Sequence, residues 1–179
     1  MVIHNAGVAL VGRVDELSRR SWEDLLQINL LAPMRLSALM LPEMIRRRRG
    51  HLVFMSSIGG RVPVPGLGVY SASKGGLDSF AESLHHDLRA LGLRVSVVHP
   101  FFSRTPMLEG ARAQATTDQG RLGSLASLAT DPARVMARTI RAIECNRLHV
   151  YPDPMASCLD HLKRWFPRLS IWAVNRLSP

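Results

Sequence analysis

With 179 residues, 46% of them hydrophobic, the chain has the size and composition of one globular domain with a core, and not of a disordered or fibrous protein. The formal net charge of +9 raises nucleic acid as a partner, but no aromatic residues interleave the arginine run, and no nucleic-acid role is expected. No stretch of about eighteen apolar residues marks a membrane-spanning helix, the opening MVIHNAGVALVG lacks the basic lead of a signal peptide, and Cys145 and Cys158 form neither a Cys-x-x-Cys pair nor a His/Cys cluster, so a cytoplasmic chain with reduced thiols and no metal is expected.

In chain order, MVIHNAG reads as a short apolar strand, and a polar loop follows. Ser21 is placed to cap a long helix, SWEDLLQINLLAPMRLSALMLPEMIRRRR, with Asp24 in a capping-box position. Pro33 and Pro42 are expected to bend or interrupt that helix. The arginines at its end suit the negative pole of a helix dipole, and Gly50 follows as a stop. HLVFMSS, apolar on both faces, is a buried strand of the parallel kind, and IGGRVPVPGLG is a Gly/Pro loop. A second long helix starts near Tyr70 and sets Leu77, Phe80, Ala81, Leu84 and Leu88 on one face. LRVSVVHP is the next strand, and residues 101–130 are a long irregular stretch. DPARVMARTIRAIE is a helix with Asp131 as N-cap and Pro132 in its first turn; LHVYP is a short strand. The tail from Met155 is an amphipathic helix broken at Pro167. This alternation predicts an α/β fold, a doubly wound, Rossmann-like parallel sheet with helices on both faces and right-handed crossovers. Ligands of such sheets gather at the carboxyl ends of the strands.

Several polar side chains are directed to that edge. VFMSS brings Ser57 to the end of its strand, and VYSASKGG begins the helix that follows. Tyr70 and Lys74 are spaced one helical turn apart, on one face. An ammonium beside a phenol favours the phenolate and lowers a pKa that is normally about 10. Asn29 lies in the middle of the preceding long helix. A hydroxyl, a phenol and an ammonium converging on one cleft suit a carbonyl group. The first two can hydrogen-bond its oxygen, and the phenol can protonate it as a hydride arrives at carbon. Taken singly, each has a plainer use: Tyr70 and Lys74 as a solvated pair, Asn29 as a helix residue bonded to backbone, Ser57 as a strand-end cap, Gly7 as a turn, Thr105 as a helix cap.

HNAG, INLLAP, the paired serines ahead of the tyrosine and YSASK, in that order and spacing, resemble the short-chain dehydrogenase/reductase family over essentially the whole chain. The resemblance implies an oxidoreductase that moves hydride between NAD or NADP and an alcohol or carbonyl substrate. It implies catalytic roles for Asn29, Ser57, Tyr70 and Lys74. Tyr70 would be the general acid in reduction and the base in oxidation. Lys74 would lower its pKa and bind the nicotinamide ribose, Ser57 would orient the substrate oxygen, and Asn29 would hold a water that relays protons from Lys74. Asn5, Ala6 and Gly7 match the family's turn beside the adenosine side of the cofactor. Pro100 and Thr105 match its segment against the nicotinamide amide and pyrophosphate. His4 replaces an asparagine of the family pattern. Phe101 replaces a glycine and is expected to narrow the site or reshape the substrate loop. His4, His85, His86 and His99 are given no role.

The family's Gly-rich strand–turn–helix, which sets a pyrophosphate on a helix N-terminus, has no counterpart ahead of HNAG. The chain is therefore expected to be a Rossmann-like domain fragment over 1–179, with an exposed edge on its first strand. Residues 1–154 would be the sheet and helices of the catalytic half, with the substrate loop at 101–130, and 155–179 the tail. The alternative is a truncated, non-catalytic relic or partner subunit that does not bind cofactor on its own. Phe101, Phe102, Met107 and Leu108 would form an apolar mouth for a hydrophobic alcohol or ketone, or else pack the loop itself. In the tail, Trp165, Phe166, Ile171 and Trp172 mix with Lys163, Arg164, Arg168 and Arg176. That pattern suits peripheral contact with an anionic membrane, a pocket cover or a subunit interface. The resemblance also implies homo-oligomers built through the two long helices.

Overall fold

The computed structural model of the chain describes residues 1–114 and 128–176; the middle of the expected substrate loop lies outside the described residues. Strands β1 (Val2–His4), β2 (Gly50–Met55), β3 (Leu93–Val98) and β4 (His149–Val150) form one parallel sheet in that spatial order. The helices are α1 (Arg19–Leu26), α2 (Ala32–Arg46), α3 (Ile58–Arg61), α4 (Gly68–Leu88), α5 (Pro106–Gln114), α6 (Pro132–Glu144), α7 (Pro154–Trp165) and α8 (Pro167–Arg176).

Register is fixed by the alternation of side chains across the sheet. Leu52 stands opposite Val2 and Val95, Phe54 opposite His4 and Val97, and Val98 opposite Met55 and Val150. Leu52, Phe54, Val95 and Val97 point to one face, where Met44 of α2 and Leu77, Ala81 and Leu88 of α4 close over them. Val53, Val98 and Val150 point to the other, against Ile143 of α6. The sheet is therefore covered on both faces, as its unbroken apolar strands require. The hand of the crossovers departs from expectation. The steps from β2 to β3 and from β3 to β4 run in the same direction, yet α4 and α6 lie on opposite faces. These two crossovers are consequently of opposite hand. The right-handed rule reflects compact strand–helix–strand units, and the long connection from His99 to Thr130 frees α6 from it.

Local chemistry explains the element ends, with three corrections. The first helix is capped by Ser18, whose side chain accepts from the Ser21 N–H at 3.2 Å, not by Ser21. The Gly/Pro loop contains α3, begun by the Ser57 side chain accepting from the Gly59 N–H. The long helix runs on through both Pro33 and Pro42 but swells into a π-turn at Gln27–Leu31, where the Ala32 N–H reaches back to the Gln27 carbonyl. Proline has no N–H for the carbonyl four residues before it, and the extra residue of the π-turn accommodates that gap while turning Asn29 inward. Helix α6 starts as expected, with Asp131 accepting from the Ala133 N–H and Pro132 in the first turn. The tail breaks at Pro167 into α7 and α8.

The stretch Arg19–Arg46 is long enough, and at a mean hydropathy of 1.3 apolar enough, to cross a membrane, which the search for an uninterrupted apolar run did not reveal. In this fold its buried positions, Leu25, Asn29, Pro33, Ser37 and Met44, lie along the side that covers the sheet and α4. On the first strand, the edge away from β2 has no partner strand among the described residues, and Ile3 is exposed.

Candidate active site

The carboxyl edge of the sheet gathers most of the expected residues. Ser57 follows β2 and opens α3, and Tyr70 lies in the first turn of α4. Gly59 shows how closely the two approach: a Cβ there would stand 3.4 Å from both Ser57 Oγ and Tyr70 Cε1. The Ser57 hydroxyl thus stands beside the phenol and favours its ionised form. Lys74 follows one turn later, buried, and its Nζ donates to the Met55 carbonyl at 2.8 Å. An ammonium has three protons to give, so this bond leaves two for other acceptors.

Asn29 is almost wholly enclosed and ties three segments together. Its Oδ1 accepts from the Val8 N–H at 2.9 Å, and its Nδ2 donates to the Val8 carbonyl at 2.9 Å and to Ser73 Oγ at 3.1 Å. Ser73 in turn donates to the Tyr70 carbonyl at 2.7 Å. The loop after β1, the π-turn and the start of α4 are thus one hydrogen-bonded unit. Gly7 lies in the middle of it. A Cβ at Gly7 would come within 3.3 Å of Asn29 Oδ1, 3.4 Å of Lys74 Nζ and 3.9 Å of Met107 Cε. Beneath, α3 crosses α4 at glycines: a Cβ on Gly60 would meet the Lys74 carbonyl carbon at 2.8 Å and the Gly75 nitrogen at 2.9 Å. Only a side-chain-free residue lets Ser57's helix lie this close to Lys74's.

The other expected residues lie further out. Asn5 and Ala6 are exposed just past β1. Pro100 accepts the Ile58 N–H at 3.0 Å and so anchors α3. Thr105 precedes α5, its carbonyl accepting from Leu108 at 3.0 Å and its hydroxyl turned to the Ser103 carbonyl at 3.4 Å. Of the four residues of the expected mouth, Phe101 is a core residue against Ile58, Val62 and Ala156, and Leu108 is buried against Ala129. Phe102 and Tyr70 pack together with Ala9, Val11, Val64 and Leu67, an apolar wall beside the phenol. Met107 is partly exposed above Gly7.

The electrostatics differ from expectation at one point. Burial raises the Tyr70 phenol above its ordinary value, and the neighbouring Ser57 hydroxyl only partly offsets this. Lys74 does not depress it: its Nζ is 5.9 Å from the ring centroid, bonded to Met55. Burial instead lowers Lys74 itself to about 8, against the pull of Asp78 one turn further on. Asp78 is raised by burial to about 7. Sequence reasoning missed Ser73, the Met55 carbonyl, the Gly60–Gly75 crossing and Asp78. Only Asp78 carried a readable signal, since it shares a helix face with Lys74 and with Leu77 and Ala81.

Comparison with known proteins gives the same picture. The family model described as short chain dehydrogenase matches residues 1–116. The ketoacyl reductase HetN of Nostoc sp. is 31% identical over 99% of this chain and 60% of its own length. A short-chain dehydrogenase structure from Streptomyces avermitilis superposes with a TM-score of 0.77 at 28% identity, covering 99% of this chain and 70% of that one. A metagenomic short-chain oxidoreductase in complex with NADP is 36% identical, with a TM-score of 0.53 over 57% of this chain and 47% of its own. The chain spans about half the length of the curated relatives it matches.

Proposed function

The chain belongs to the short-chain dehydrogenase family, and from that premise we propose that it exchanges hydride between NAD or NADP and an alcohol or ketone with an apolar body, using Tyr70 as general acid and base. The observation that carries this reading is the meeting of Ser57, Tyr70, Lys74 and Gly7 at one sheet edge, with Asn29 bonding the segments that hold them. The opening over Gly7, which a Cβ would fill, fits a nicotinamide and ribose laid beside Lys74. Lys74 and Tyr70 would hold the ribose, Pro100 and Thr105 the amide and pyrophosphate side, and Asn5, Ala6 and Gly7 the adenosine side. When bound, the nicotinamide supplies or accepts the hydride.

The protein's part is proton handling and orientation. Ser57 and Tyr70 direct two hydroxyls at the substrate oxygen and hold it against the apolar wall of Val11, Leu67 and Phe102. In reduction the Tyr70 proton passes to that oxygen as the hydride reaches carbon; in oxidation Tyr70 takes the proton back. A phenol raised by burial is fully protonated at neutral pH, which suits the reductive direction. Lys74 replaces the lost charge balance as an ammonium, and Asn29 fixes the Val8 and Ser73 segments around it. One observation favours the second reading, a chain that holds no cofactor by itself: the edge of β1 that has no partner strand among the described residues, with Ile3 exposed. Titration with NADH and NADPH, followed by nicotinamide fluorescence and by oxidation of the dinucleotide with apolar ketones, separates the two. Binding with turnover supports the enzyme; no binding at millimolar dinucleotide supports the relic or partner subunit.

Two contacts belong to the same reading. Exposed Leu36 and Leu39 on α2 support self-association through the long helices, testable by light scattering. In the tail, Trp165, Phe166, Leu169, Ile171 and Trp172 are exposed, and no acidic residue follows Asp160. This supports peripheral binding to an anionic bilayer. Co-sedimentation with phosphatidylserine-containing but not with neutral vesicles is expected, and Arg168→Glu with Arg176→Glu should abolish it.

A further inference from the structure

Behind the site lies a buried polar cluster whose hydrogen-bond chemistry does not close without an extra proton. Arg61 ends the helix that Ser57 begins. Its Nη2 donates to Glu82 Oε1 at 2.5 Å and to His149 Nδ1 at 3.0 Å. A guanidinium only donates, so His149 Nδ1 is a bare acceptor and its proton is on Nε2, which faces Glu82 Oε1 at 3.6 Å. His99 Nε2 lies 3.2 Å from that same His149 Nδ1. For those two nitrogens to attract rather than repel, His99 must carry its proton on Nε2. The Nδ1 of a neutral His99 is then a lone pair, and it faces Asp78 Oδ2 at 3.6 Å with no hydrogen-bond partner. Two acceptors now confront each other in a dry site, a costly arrangement unless one of them is protonated.

We propose that Asp78 is a neutral carboxylic acid whose proton is directed at His99 Nδ1, and that this proton makes Asp78 a positioning residue for Ser57 and Lys74. The surroundings agree. Asp78 is buried, and the groups facing it are Ser56, Lys74 and Glu82 on its own side, Arg61 at 3.5 Å from α3, and His99 at the end of β3. Beyond His99 stand His149, Tyr151 stacked on the His99 ring, and Asp160, which accepts from the Tyr151 hydroxyl at 2.8 Å. The Arg61 charge is paired with Glu82 through Nη2, and its Nε, buried and without a hydrogen-bond partner, lies 3.5 Å from Asp78 Oδ2, an oxygen that can accept from it in either protonation state. Burial raises Asp78 to about 7 and drives His99 down to about 2, the directions that proton requires. The Ser57 backbone also lies beside the His99 ring. A neutral Asp78 leaves the Lys74 ammonium on the Met55 carbonyl instead of drawing it back along α4. This positioning role rests on the assignment of Ser57, Tyr70 and Lys74 above; the proton count does not.

The count has a signature in the pH dependence of stability. Between about pH 4 and 6.5 the unfolded pair holds one proton, on the histidine, given ordinary values of 3.8 and 6.5. The folded pair also holds one, on Asp78, so wild-type stability gains no slope from the pair. Asp78→Asn removes the folded proton, and the unfolding constant should fall about tenfold per pH unit relative to wild type across that window. His99→Gln leaves a folded Asp78 proton with no unfolded counterpart, and the constant should rise by the same factor per unit. Opposite slopes in the two single variants, measured by urea titration from pH 4 to 7, are the expected result. If Asp78 is instead a carboxylate paired with Arg61, Asp78→Asn runs parallel to wild type and the proposal is overturned. Nitrogen-15 spectra of histidine-labelled wild type provide a second readout should a variant fail to fold. His99 should be neutral with Nε2 protonated at pH 6; a proton on Nδ1 would overturn the assignment. Neither measurement uses dinucleotide or turnover, so failure here is separable from failure of the enzymatic reading.

Discussion

Asn29→Ala should be among the most damaging substitutions in the chain, for a reason independent of catalysis. The side chain is almost fully enclosed and makes three hydrogen bonds, to Val8 N–H, Val8 C=O and Ser73 Oγ, at 2.9, 2.9 and 3.1 Å. Each is worth roughly 1 kcal/mol net, and truncation also leaves Val8's amide groups without protein partners, so the expected loss is about 3 kcal/mol. Asn29→Asp keeps the acceptor for the Val8 N–H but sets a carboxylate against a carbonyl oxygen, and should lose about as much at neutral pH. Urea unfolding followed by circular dichroism measures both. The midpoint should fall with little change in slope, since the surface exposed on unfolding is unchanged. A loss below about 1 kcal/mol in Asn29→Ala would refute the reasoning. It would mean that water replaces the amide and that the π-turn, not the side chain, joins the β1 loop to α4.

Gly60→Ala should cost about 1–3 kcal/mol, because its Cβ would meet the Lys74 and Gly75 backbone at 2.8 and 2.9 Å; Gly68→Ala, with nothing within 4 Å, should be neutral or stabilising by thermal melting. The folded chain releases the Lys74 proton near pH 8, below the unfolded value of 10.5, so the unfolded state binds more protons in that window and stability should rise with pH from 8 to 10.5. Lys74→Met should remove that rise in parallel denaturation series. With Tyr70 raised by burial, carbonyl reduction should hold constant between pH 6 and 8 while alcohol oxidation climbs with pH. An oxidation rate that is flat over that interval would contradict a protonated Tyr70.

The parallel sheet and its helices were legible because apolar runs, glycine and proline stops and the Asp131–Pro132 cap each carry their own local physics. The gathering of Ser57, Tyr70 and Lys74 at one sheet edge was legible for the same reason: Ser57 ends a strand, and Tyr70 and Lys74 share a helix face. What the sequence hid depends on contacts distant in the chain. Ser18 and Ser21 are equally good caps, and only the fold chooses Ser18. The hand of the β3-to-β4 crossover is set by a long connection, not by a local preference. The Tyr70 phenol was expected to be depressed by Lys74, but burial outweighs a cation that the Met55 carbonyl holds elsewhere. The cluster of Asp78, Arg61, His99 and His149 comes from two helices and two strand ends, and no periodicity announces it.

Side-by-side comparison of wild type and Tyr70→Phe tests the central claim most directly: dinucleotide affinity by fluorescence, and single-turnover hydride transfer to an apolar ketone. The account predicts similar affinity, because the ring and its packing against Phe102 and Leu67 persist, with transfer slowed by about 10²–10⁴-fold through loss of the proton donor. Transfer at the wild-type rate in Tyr70→Phe would contradict it.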